Sequence, residues 1–188
     1  MAAMGDTNPP RNPQTNGYGY NPRCIKRDIS GYLVQRDSTY AKVAALITNS
    51  KTIGPFQDTM QASAGVHTAG HFTVSGDPGS GTFTLPIICE EAVDVAKLIR
   101  SSDFYTSPGD PYFFLHHAQI DRVWWIWQAQ DFANRQQVIA GGTSMMGGGR
   151  AQSLEDTIDL EVLNVDGKAY KIKELVSTIS GPLCYVYE

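Results

Sequence analysis

Residues 107–125 read Ser-Pro-Gly-Asp-Pro-Tyr-Phe-Phe-Leu-His-His-Ala-Gln-Ile-Asp-Arg-Val-Trp-Trp, and this stretch decides the fold. Asp110 suits an N-cap, because its carboxylate can accept hydrogen bonds from the unpaired amides of a first helical turn. Pro111 suits the position after it, where no amide is needed. Helical patterning continues to about Gln130, making this the strongest element of the chain. Adjacent positions on a helix point about 100° apart, so His116 and His117 cannot comfortably share one metal ion. One is a ligand candidate and the other structural. Phe113 lies four residues before His117, within packing distance of its ring. Asp121 lies four residues after, where a carboxylate can accept a neighbour's hydrogen bond and fix local geometry beside a metal. The competing reading is an apolar core helix with two satisfied histidines.

The chain has four histidines, and the other two are His67 and His71. Spaced i, i+4 on a helix, they share one face a turn apart and can hold one ion. Gly70 between them is a poor helix former, and such pairs also arise by chance, so a purely structural role remains the alternative. The zinc-protease pattern HExxH needs a glutamate as general base at the second position. Thr68 stands there instead.

Taken together, the two pairs resemble the copper-B region of tyrosinases, catechol oxidases and haemocyanins. The motif Asp-Pro, Phe, His-His and Asp four residues later is met by Asp110-Pro111, Phe113, His116-His117 and Asp121. The similarity extends through Asn21-Pro22-Arg23-Cys24, Gly70-His71-Phe72-Thr73, Trp124-Trp125-Ile126-Trp127-Gln128 and Gly181-Pro182-Leu183-Cys184-Tyr185, and is nearest to the fungal branch. The resemblance implies His67, His71 and His117 as copper ligands, with Phe113 buttressing the site and His116, Asp121 and Thr68 beside it. It implies a mainly α fold, half of a tyrosinase-type four-helix bundle with long loops and little β. It implies one copper-B ion per chain, with phenolic substrates and O2, and oxidation of phenols or o-diphenols to quinones. Neutral imidazoles suit copper chemically, and ligands that must be deprotonated make copper loss at low pH an expectation.

Three departures from the family bear on activity. Family centres use six histidines, three per copper, and only four are present. The expectation is that the copper-A half is missing, as in a truncated product, a gene-model fragment or a decayed copy, and that a second copper binds only if that half is supplied. A homodimer pairing two copper-B sites is a further arrangement. Residues at about 81–102 look like an insertion relative to the family, with a surface excursion as the plainer reading. Thr68 occupies a position where many tyrosinases carry an asparagine thought to hold a water that deprotonates phenol, which weighs against monophenol hydroxylation. The alternative to an oxidase is a non-catalytic copper-binding remnant or fragment, and an oxygen carrier ranks last because it too needs two coppers.

Composition agrees with one globular domain. Hydrophobic residues make up 41% and charged residues 18%, which argues against disorder. A net charge of −4 gives no electrostatic case for nucleic acid or an anionic membrane. No apolar run nears the roughly 20 residues of a membrane span, and Met1–Asn21 lacks the apolar stretch of a signal peptide. Localisation is therefore not readable, although relatives are often secreted. Residues 1–23 read as a tail or loop and residues 24–188 as the copper-binding domain.

Further helices are expected from Ser38 to about Asn49, from Pro55 with Phe56 and Met60 on one face, and over Glu90–Arg100. Gly141–Gly149 reads as a flexible loop without the Lys-Ser/Thr of a phosphate loop. Tyr170–Ile179 reads as strand or short helix. Trp124, Trp125 and Trp127 read as core. Cys24, Cys89 and Cys184 lack metal-site spacing; Cys24 with Cys184 could close the domain, or all three could be thiols. Two helices of a four-helix bundle leave apolar faces open, so association through them is expected.

Overall fold

The computed structural model describes residues 12–21, 24–25, 27, 29–75, 98–99, 107–144, 148–159 and 167–188. The insertion read at about 81–102 lies outside them except for Leu98–Ile99, as do Cys89 and the first part of the helix expected over Glu90–Arg100. The described chain is mainly helical with two small two-stranded sheets. Two compact units emerge, one from Met1–Lys42 with Gln61–Ile120, the other from Val43–Met60 with Asp121–Glu188.

In the first unit, β1 (Cys24–Ile25) pairs in parallel with β2 (Leu98–Ile99), Cys24 opposite Leu98 and Ile25 opposite Ile99. Leu98 and Ile99 are therefore strand, not the end of a helix, because pairing with a distant segment overrides local periodicity. A helix not anticipated from sequence, α1 (Gly31–Asp37), starts at Ser30, whose hydroxyl accepts from the Leu33 amide at 3.3 Å. Ser38 closes α1 rather than opening the next helix; Thr39 caps α2 (Tyr40–Asn49) through the Lys42 amide at 3.3 Å. Asp37, almost wholly buried, accepts from Arg36 and Lys42, both at 2.6 Å.

Helix α4 (Val66–Ser75) packs on α1, and its Thr73 carbonyl accepts from the Ser30 amide at 2.8 Å. Val66, Ala69, Gly70, Thr73 and Val74 are its buried residues. That i, i+3, i+4, i+7, i+8 series is one helical face. His67 and His71 form the half-buried stripe beside it.

Helix α5 (Pro111–Ala129) follows a single 3₁₀ turn at Ser107–Gly109. Asp110 is completely buried and accepts from the Tyr112 amide at 2.9 Å, as its capping role requires, and also from the Arg27 guanidinium. Burial works against ionisation of Asp110, but Arg27 and the Tyr112 amide outweigh it and hold the carboxyl below its ordinary value. The contribution of this pair is therefore complete above the usual carboxylate range and is lost as pH falls below it. Replacing Asp110 with alanine should cost about 1–2 kcal/mol from the lost cap, read as a lowered urea midpoint; an unchanged midpoint would mean the cap contributes nothing.

The second unit is built around Trp127 and Phe56, both fully buried and stacked at 4.9 Å. Phe56 and Met60 lie on α3 (Ile53–Gln61) four residues apart, as expected from Pro55 near its start. The Trp127 indole donates to the Ser50 carbonyl at 2.7 Å, and Arg135 of α6 (Phe132–Arg135) lies 4.7 Å over its ring. β3 (Thr157–Ile158) pairs antiparallel with β4 (Tyr170–Lys171), which runs straight into α7 (Ile172–Leu175). Both readings of that segment thus hold in succession. The glycine-rich stretch is a closed hairpin at its base, with Gly142 bridged to Ala151 and the Gln152 amide donating to Gly141 at 3.1 Å. Gly141 and Gly149 take positive φ values of 104° and 79°, where glycine avoids a Cβ penalty. Cys184 is an exposed free thiol, so the Cys24–Cys184 closure is not made. Among the described residues no helix is long and apolar enough to cross a membrane.

Candidate metal centre

All four imidazoles meet in the first unit. The helical turn between His67 and His71 brings their Nε2 atoms to 3.1 Å, and His117 on α5 brings its Nε2 to 3.3 Å from that of His67. Metal–imidazole bonds of roughly 2.0–2.1 Å at angles of about 90–120° require nitrogens about 2.8–3.6 Å apart, and both separations fall inside that range. Each of these two pairs therefore has a separation that a shared ion would allow.

The two rings on α5 differ in which nitrogen is spent on a carbonyl. His117 Nδ1 donates to the Phe113 carbonyl, one turn back on its own helix, at 2.8 Å. That bond fixes the proton on Nδ1 and leaves the Nε2 lone pair facing His67, the usual state of a metal-binding histidine. His116 does the reverse: its Nε2 donates to the His67 backbone carbonyl at 2.9 Å. Among the described residues, the group of three whose ligand atoms all lie within 4.8 Å of one another is His67, His71 and His116, without His117. With its Nε2 spent on a carbonyl, His116 has only Nδ1 left to offer a metal.

Burial, then the charges of the surrounding histidines, depress the His67 pKa to about 3. Burial first, then His71, bring that of His116 to about 4 despite its bond to the His67 carbonyl. Both rings are thus held neutral near pH 7, and a neutral ring is the form that binds a metal.

The residues expected beside the centre have specific partners. The Phe113 ring lies 3.9 Å from the His117 ring and 5.9 Å from that of His71. The Thr68 hydroxyl donates to the Gln61 carbonyl at 3.1 Å. Asp121 belongs to the second unit, where its carboxylate accepts from Tyr185 at 2.8 Å and Tyr187 at 2.5 Å. Burial and then this hydrogen bond push the Tyr185 phenol up to about 12.

Two contributors escaped sequence reading. A Cβ on Gly70 would collide with the His116 ring, so Gly70 is where α5 approaches the α4 backbone. Tyr112 stacks with His116, ring centroids 5.8 Å apart and nearly parallel. A glycine inside a helix, at a cost of about 1 kcal/mol relative to alanine, was the available signal for the first.

The model of the common central domain of tyrosinase matches residues 2–130. This chain belongs to the tyrosinase family. The tyrosinase-like protein orsC of Emericella nidulans is 34% identical over 137 residues, covering 73% of this chain and 30% of that protein. Oxidase hkm6 of Aspergillus hancockii is 28% identical over 184 residues, covering 92% and 55%. Among solved structures, a variant of the polyphenol oxidase of Thermothelomyces thermophila matches with a TM-score of 0.68 and 30% identity, covering 98% of this chain and 46% of that one. The chain thus spans between about a third and just over half of the tyrosinase-family relatives it matches.

Proposed function

We propose that His67, His71 and His117 hold one copper ion through Nε2, and that the chain is the copper-B part of a polyphenol oxidase. The observation that carries this reading is the His117 Nδ1–Phe113 carbonyl bond, which leaves the His117 Nε2 lone pair 3.3 Å from the His67 Nε2, itself 3.1 Å from that of His71. Copper, when bound, supplies a one-electron couple for oxidising phenols with O2. An o-diphenol gives up two electrons and two protons on becoming a quinone, and two diphenols reduce one O2 to two waters. A single one-electron centre would not match this two-electron oxidation, so turnover would call for a second copper. Its three imidazoles would come from sequence outside these 188 residues or from another chain, since one histidine remains here and is bonded to a carbonyl.

The substrate class we favour is o-diphenols over monophenols. The Thr68 hydroxyl spends its one proton on the Gln61 carbonyl, so it keeps no donor for a water beside the site. Association through the open side of α5 belongs to the same proposal: Phe114 and Leu115 are 62% and 72% exposed. The second reading, a copper-binding remnant without turnover, is favoured by the count of four histidines.

Copper content and catechol oxidation after reconstitution separate these readings. One copper per chain without turnover is expected of the 188 residues alone, with turnover appearing when a three-histidine copper-A half is supplied. Failure of that mixture to oxidise catechol would favour the remnant. Absence of stoichiometric copper would overturn the metal site.

A further inference from the structure

His116 is held by Tyr112, Gly70 and His67, and the first two of these are not metal-ligand candidates. Tyr112 lies one turn before it on α5, its ring 2° from parallel and 5.8 Å away. His116 also lies 10° from parallel with His67 at 5.5 Å. The edge of the ring rests on Gly70, where any side chain would overlap Cε1, Nδ1 and Nε2 at once. In that seat Nε2 reaches the His67 carbonyl at 2.9 Å. The imidazole is thus a spacer between the two helices that carry the three proposed ligand nitrogens, keyed to the backbone of the residue whose Nε2 is shared by both short contacts.

We propose that Gly70 and Tyr112 are positioning residues that seat His116 and thereby set the separation of α4 from α5 at the metal centre. This rests on the copper reading above. Gly70 supplies the absence of a Cβ that lets the ring lie against α4. Tyr112 supplies a flat wall that prevents the ring from turning away. Neither touches the ion; each acts through His116 and the His67 carbonyl. A methyl group at position 70 must push the ring outward, because the atoms it meets belong to a stiff ring that also stacks with Tyr112. That displaces His117, the next residue on the same helix, from its partners on α4.

The test uses the whole chain and two readouts. Copper affinity is measured by competition with a chelator of known affinity. The His116 tautomer is followed in the metal-free chain by ¹⁵N-coupled imidazole NMR, which needs no metal. Wild type should show His116 protonated on Nε2. Gly70→Ala should lose that state and bind copper at least 10-fold more weakly. Removing the obstructing ring should make the alanine harmless, so the double variant Gly70→Ala, His116→Ala should bind copper within about 2-fold of His116→Ala alone. Tyr112→Phe keeps the wall and should match wild type in both readouts, whereas Tyr112→Ala should weaken copper binding about 10-fold. If Gly70→Ala does not fold, the comparison of the double variant with His116→Ala, and of the two Tyr112 variants, still decides. Gly70→Ala with wild-type tautomer and affinity, or a double variant that sums two independent losses, would overturn the seat. Wild type that binds no copper but shows the Nε2-protonated ring, lost in Gly70→Ala, would sink the copper reading and with it the positioning role, leaving the seat as helix packing only.

Discussion

His117→Ala should reduce copper affinity by well over 100-fold, and His116→Ala by only 10- to 100-fold. The neighbours differ in what their rings are bonded to, not in how near they lie to α4. His117 spends Nδ1 on the Phe113 carbonyl and keeps a lone pair toward His67, whereas His116 spends Nε2 on the His67 carbonyl. Loss of a group that only orients a ligand commonly costs 10- to 100-fold in metal affinity, and loss of a ligand from a set of three costs more. Alanine is the best helix former, and His117 is only half-buried, so α5 should survive the substitution. Chelator competition on both variants gives the ranking. A larger loss for His116→Ala than for His117→Ala would reverse the ligand assignment in favour of the other three-histidine group.

Trp127→Ala should destabilise the second unit by about 3–5 kcal/mol, a large share of the roughly 5–15 kcal/mol that holds a domain folded. Trp127 has no exposed surface, and three separate interactions converge on it. Its face stacks on Phe56, its indole N–H satisfies the Ser50 carbonyl, and the buried Arg135 guanidinium lies over the ring. Alanine would leave a cavity, an unpaired carbonyl and a buried cation without its aromatic face. Urea denaturation followed by far-ultraviolet circular dichroism should show the loss as a lower midpoint. A change below about 1 kcal/mol would show that this cluster is not the core of its unit.

These two residues also mark what could be read without a structure. The start of α5 was legible because Asp110 and Pro111 act within one turn, and the observed cap is the bond expected of them. Phe56, Met60 and Trp127 were legible as core from spacing and residue type. Helix α1 was not: it is seven residues long, begins with glycine, and is anchored by a bond from the Ser30 amide to the distant Thr73 carbonyl. Leu98–Ile99 carried helical periodicity, but pairing with Cys24–Ile25 decided its conformation. At the site, spacing alone brought out two histidine pairs, and family resemblance chose between His116 and His117. The physical basis of that choice lies in which carbonyl each ring meets, and no sequence pattern specifies that. Gly70 was visible as an anomaly within a helix, yet its reason is a ring contributed from 46 positions further along.

An anomalous difference map at the copper edge, from crystals of the copper-loaded chain, tests the ligand assignment. A single peak is expected about 2.0–2.1 Å from Nε2 of His67, His71 and His117, with His116 still bonded to the His67 carbonyl. A peak ligated by His116 in place of His117, or no peak among these rings, would contradict that assignment.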